Sequence, residues 1–136
     1  MGRRQGRKSV NREKFGEYRK VADHFFDAAQ TAMELEYWTA AGVLIVHSAI
    51  AYADALSIRL SGLRSAGENH EDAIALLETI VADSEEKIKA LNQFRRIIGE
   101  KTAVSYMGEM YTASQTKELW KRLERFRSWA EGVFSR

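Results

Sequence analysis

The stretch that most limits what this chain can fold into is "YWTAAGVLIVHSAIAYADALSIRLSGLR", Tyr37 to Arg64, its most apolar part. The uninterrupted apolar run, Ala40 to Val46, is far short of the ~20 residues that a membrane-spanning helix needs. His47, Asp54 and Arg59 then interrupt it. A helix that is apolar nearly all round belongs in the middle of a bundle or under a partner subunit. Ala, Gly and Ser at positions 40, 41, 42, 48, 49, 51 and 53 allow neighbouring helices to approach closely. His47 and Asp54 are two turns apart and share a face. A buried polar pair there has to be satisfied by hydrogen bonds, and the reading of it is structural first.

The remaining segments supply helices to surround this one. The 136 residues fit one domain with one modest core. The chain has no proline, the commonest helix breaker. From Phe15 onward Tyr18, Ala22, Phe25, Ala29 and Ala32 fall at steps of three and four, one apolar face. His24 lies beside that face and reads as surface. After Arg64, "SAGEN" reads as a connection, with Gly67 at the position beyond a helix end and Asn69 as an N-cap paired with Asp72. A third helix is predicted from about His70 to Ala82. A fourth is capped by Asp83 or Ser84 and runs through "KIKALNQFRRIIGEKTAVSY" to Gly108. A fifth, capped by Thr112 or Ser114, carries the stripe Leu119, Leu123, Phe126, Ala130 and Val133. The predicted class is therefore all-α, an up-and-down bundle of about five helices over residues 15–136. No strand is predicted, and residues 1–14, with two glycines and no apolar period, read as a basic disordered tail.

Charge is segregated along the chain. Residues 1–20 hold eight basic and two acidic residues, net +6. Residues 21–94 hold four and twelve, net −8, and residues 95–136 nine and five, net +4. Basic ends suit a phosphate backbone or an acidic partner, although a solvated leader and helix face would give the same pattern. With no cysteine there is no disulfide framework and no thiolate metal site. No phosphate-cradling glycine loop is present. His24, His47 and His70 are scattered without metal-ligand spacing, so neither a metal nor a cofactor is expected. Met33, Met107, Met110, Trp38, Trp120 and Trp129 read as packing residues. No signal peptide is visible, and a cytoplasmic protein without a membrane span is expected.

One stretch, "GLRSAGENHEDAIALL", sets Arg64 and His70 with five residues between them. The local reading makes Arg64 the end of one helix, where a cation suits the dipole, and His70 the first residue of the next, beyond the Asn69 cap. The chemical reading makes them a pair. Histidine moves protons near neutral pH, and an arginine fork stabilises charge on a phosphate. The local reading is preferred on sequence alone. An Arg-x5-His match carries little information in a chain with 21 Arg and Lys and three His.

The order of parts resembles a HEPN domain (higher eukaryotes and prokaryotes nucleotide-binding). The resemblance lies in "AAGVLIVHSAIAYADALSIRLSGLRSAGENHEDAIALLETI" and in "FRRIIGEKTAVSYMGEMYTASQTKELWKRLERFRSWAEGVF", and covers roughly residues 15–134. It implies a small helical bundle and a homodimer. Many members of that family are metal-independent endoribonucleases, often toxins or phage-defence proteins, whose signature is Arg, four to six residues, then His. Arg64 and His70 meet that spacing as catalytic candidates. Two features depart from the pattern: Ser65 stands where catalytic members commonly have Asn, Asp or His, and the later Arg95–Arg96 stretch has no histidine. The expectation is thus a HEPN-like helical protein that acts without catalysis, through dimerisation and a protein or nucleic-acid partner such as a nucleotidyltransferase-type antitoxin. The alternative is a HEPN endoribonuclease acting on RNA.

Overall fold

The protein is described by a computed structural model covering residues 6–66, 70–101 and 111–136. Among these residues five α-helices make an all-α bundle: α1 Phe15–Glu34, α2 Trp38–Ser61, α3 Glu71–Ile80, α4 Glu85–Gly99 and α5 Ala113–Phe134. α2 is the central element, with α1 and α5 as its main neighbours and α3 and α4 also against it. It is long and apolar enough to cross a membrane, yet most of it is covered by its own chain. The reason is the residue type. On α1 the buried positions are Ala22, Ala29 and Ala32, and on α2 Ala41, Gly42, Ala49, Ala53 and Ala55 are buried among larger side chains. Small residues bring the two backbones close enough for the Ser48 hydroxyl to donate to the Ala22 carbonyl at 2.9 Å, inside the core.

The larger core side chains fill the other faces. Phe94 of α4 stacks on Phe126 of α5 with centroids 4.9 Å apart. Ile45, Leu56, Ile74, Leu77 and Leu123 are fully buried around them. The apolar stripe predicted for α5 is buried at all five positions. Trp38, Trp120, Trp129 and Met33 pack against this core, as packing residues should. Met107, Met110 and Gly108 lie outside the described residues.

Helix ends follow local chemistry. α1 closes with the Tyr37 N–H on the Ala32 carbonyl and the Glu36 N–H on the Met33 carbonyl, a Schellman arrangement. Its left-handed residue is Glu36, at φ 62°, where glycine would be unstrained. α4 starts at Ser84, whose hydroxyl accepts from the Lys87 N–H. α5 starts at Thr112, in a full capping box with Gln115.

Three expectations need correction. α2 does not reach Arg64. Gly62, at φ 72°, ends it, and its N–H bonds the Ile58 carbonyl. Beyond that glycine the chain is extended: β2 Leu63–Ser65 pairs antiparallel with β1 Arg7–Ser9, and the Val10 N–H donates to Gly62 O at 2.8 Å. The segment expected to be a disordered tail is thus, from residue 6 onward, a strand followed by a 3-10 turn over Arg12–Lys14. Strands of three residues are too short to leave an alternating pattern in sequence. Finally, α4 stops at Gly99, and the end expected at Gly108 lies outside the described residues.

Candidate active site

The corrected end of α2 changes what Arg64 is. It caps no helix; it lies in β2, opposite Lys8 in the antiparallel register. Its Nη1 donates to the neighbouring Ser65 carbonyl at 3.1 Å. Its Nε is buried, and among the described residues neither that atom nor the buried Ser65 hydroxyl has a hydrogen-bond partner. Buried polar groups are almost always paired, so this corner holds donors that the fold has not used.

Arg64 also faces a carboxyl. Asp54 of α2 is half-buried, and its burial pushes its pKa up to about 7, with the Arg64 guanidinium pulling the other way. Loss of hydration disfavours the carboxylate more than one nearby cation restores it. Asp54 therefore exchanges its proton near neutral pH, far from the usual range of a carboxylate.

His70 stands immediately before α3, at its N-cap position, and its carbonyl accepts the first amides of that helix, those of Ala73 and Ile74. Its side chain makes no capping hydrogen bond. Burial lowers its pKa, and the positive charges of Lys101 and His47 lower it further. The neutral imidazole is thereby favoured, the form that can accept a proton. Asn69 and Gly67, expected to cap and connect here, lie outside the described residues. The Asp72 carboxylate accepts from Arg7 Nε at 3.1 Å. That ion pair ties β1, the strand that holds Arg64 in place, to the first turn of α3.

His47 and Asp54, taken together as a structural pair in the sequence, diverge in function. His47 is exposed, with its ring 5.6 Å from Phe25, and its charge acts on His70. Asp54 is coupled to Arg64. Two turns of α2, about 10 Å of rise, thus connect an Arg64–Asp54 end and a His70–His47 end of one strip. Asp54 is the residue that the sequence reading did not assign to the site. A half-buried carboxyl on an otherwise apolar helix was the signal for it. His24 remains exposed. Among the described residues no group of three or more His, Asp or Glu could hold a metal ion.

A comparison with protein-family models, with curated proteins and with solved structures finds no match to this chain.

Proposed function

We propose that this strip is a phosphodiester-cleaving site and that the protein is a metal-independent endoribonuclease of the HEPN kind. The reading is supported by the placement along α2 of an arginine with unused donors beside a carboxyl that titrates near 7 and, two turns away, a histidine biased toward its neutral form. Perturbed titratable groups that cluster in this way are characteristic of functional sites. The division of labour is direct. His70 takes the proton of a ribose 2′-hydroxyl, whose oxygen attacks the adjacent phosphorus. Arg64 holds the non-bridging oxygens as charge builds there. The bond to the 5′-oxygen breaks, and that oxygen takes up a proton, leaving a 2′,3′-cyclic phosphate and a 5′-hydroxyl.

The test is cleavage of single-stranded RNA in EDTA. Wild-type protein should give cyclic-phosphate ends, and His70→Ala and Arg64→Ala should each lower the rate by about a hundredfold or more, with the unfolding midpoint nearly unchanged. Wild-type protein that cleaves no RNA, or variants that cleave as well as it does, would end this reading. The second reading, a non-catalytic HEPN-like protein acting through a partner such as a nucleotidyltransferase-type antitoxin, is favoured by one contact. Donation from Arg64 to its own strand at Ser65 spends part of the fork on structure. A homodimer belongs to both readings, but its support is the family resemblance. Most of α2 is covered by the chain itself.

A further inference from the structure

A second place in the molecule gathers unpaired cations, and it shares no residue with the strip above. Between the 3-10 turn, the C-terminal ends of α2 and α3 and the end of α5 lies an open cavity of about 480 Å³. That size falls in the range that holds small organic ligands. Phe15, Leu60, Ile80 and Val133 give it an apolar floor, and Arg12, Arg59 and Arg136 also line it.

Five arginines elsewhere form ion pairs. Arg7 meets Asp72, Arg19 meets Glu131, Arg95 meets Glu78, Arg122 meets Glu118 and Arg127 meets Asp23. None of the three cavity arginines forms an ion pair among the described residues. Arg59 donates one N–H to the main-chain oxygen of Arg136, the last residue of the sequence, at 3.3 Å and lies 4.8 Å over the Phe15 ring. Stacking on that ring leaves the rest of its donor fork open at the edge. Arg12 makes no side-chain hydrogen bond there. Its stem lies along Gly62, where an added Cβ would come within 3.6 Å of the Arg12 side chain. The one acidic side chain in the lining, Glu13, is exposed. Arginines outnumber acidic side chains in this lining, which favours an added anion. The floor in turn rewards an apolar body.

We propose that this cavity is a binding site for a small amphipathic anion, a phosphate or carboxylate head on an alkyl or aryl body, with Arg12 and Arg59 holding the head and Phe15, Leu60 and Val133 taking the body. The head and the body are both needed. A bare anion gains nothing from the floor, and an uncharged alkyl compound leaves the arginines unanswered.

The full chain is titrated by calorimetry with octyl phosphate and with octanoate below their micelle concentrations, and with inorganic phosphate and octanol as the two halves of the ligand. One octyl phosphate or octanoate per chain should bind at least about tenfold more tightly than either half. Arg12→Glu, at an exposed position that leaves the core untouched, and Arg59→Gln should each weaken it by about tenfold or more. Lys121→Glu, at an exposed lysine outside the cavity, should not. If both octyl anions bind, their ratio tells which head is preferred. Equal binding of inorganic phosphate would overturn the proposal in favour of a simple anion site. Binding insensitive to Arg12→Glu and Arg59→Gln, or none at all, would overturn it outright. RNA cleavage is unaffected either way, so this result and the fate of the ribonuclease reading are separable.

Discussion

Two cations of this protein carry buried donor atoms, and they are treated in opposite ways. Lys87, in the first turn of α4, is 5% exposed, and its three N–H groups meet three acceptors. These are the carbonyls of Glu78 and Val81 at 3.1 Å and the Asp83 carboxylate at 2.5 Å. The carbonyls belong to the end of α3, where the helix leaves acceptors without internal partners and its dipole favours a positive charge. Among the described residues Arg64 has an Nε without a hydrogen-bond partner, and the carboxyl it acts on, Asp54, is held half-protonated near neutrality by burial. A buried charge with all its hydrogen bonds made fixes structure; one left with open donors and a poised neighbour is kept for something else. The contrast separates scaffold from candidate site without reference to any other protein.

The contrast is broken most easily at Lys87. Lys87→Met keeps the stem but strands the Glu78 and Val81 carbonyls, and should cost about 2–3 kcal/mol in urea unfolding. A loss below about 0.5 kcal/mol would mean that water replaces the ammonium freely and that the two cations are not different in kind. Next in size is Asp54→Asn. A carboxyl whose pKa rises on folding binds more protons folded than unfolded, so its contribution to stability falls as pH climbs from about 4 to about 7. Asn removes that penalty. The variant should match wild type at pH 4 and exceed it at pH 8 by on the order of 1 kcal/mol, less than the full linkage because water reaches the site. His70 acts in the opposite direction. Its lowered pKa costs stability on acidification below the ordinary imidazole value, and in Asp54→Asn that slope should stand alone in a pH series of denaturant midpoints. The smallest effect is expected at Arg64. Arg64→Ala should change stability by less than about 1 kcal/mol, and by removing the cation should raise the Asp54 pKa further, which carboxyl NMR titration reads directly. A large loss of stability there would make Arg64 a second Lys87.

Much of the bundle was legible because its signals are local. The three-four spacing from Phe15 to Ala32 and the stripe from Leu119 to Val133 each report one helix face. Ser84 and Thr112 are caps whose partners lie three residues on. The β1–β2 pair was not legible. It joins residues 7–9 to residues 63–65, and nothing in either triplet announces the other. The same blindness hid the site. Arg64 and His70 were found by spacing, but read locally they were helix ends, and Gly62 was passed over as the residue that stops α2. Asp54 was seen and paired with the wrong partner, because helical periodicity places it with His47, whereas an approaching strand places it with Arg64.

The sequence by itself determined the class of fold and the central place of α2. Hydrophobic period, small-residue content and capping chemistry are properties of contiguous residues, and the burial they demand leaves a proline-free chain few arrangements other than a helical bundle. Only the tertiary structure decided which polar groups are spent and which are free. Lys87 is satisfied by the end of another helix, Arg64 is delivered to Asp54 by a strand fastened to the N-terminal segment, and Arg12, Arg59 and Arg136 meet around one cavity. Each of these depends on desolvation and on charges brought together from distant positions. Burial and Coulomb interactions are set by distance in space, and separation along the chain does not encode them.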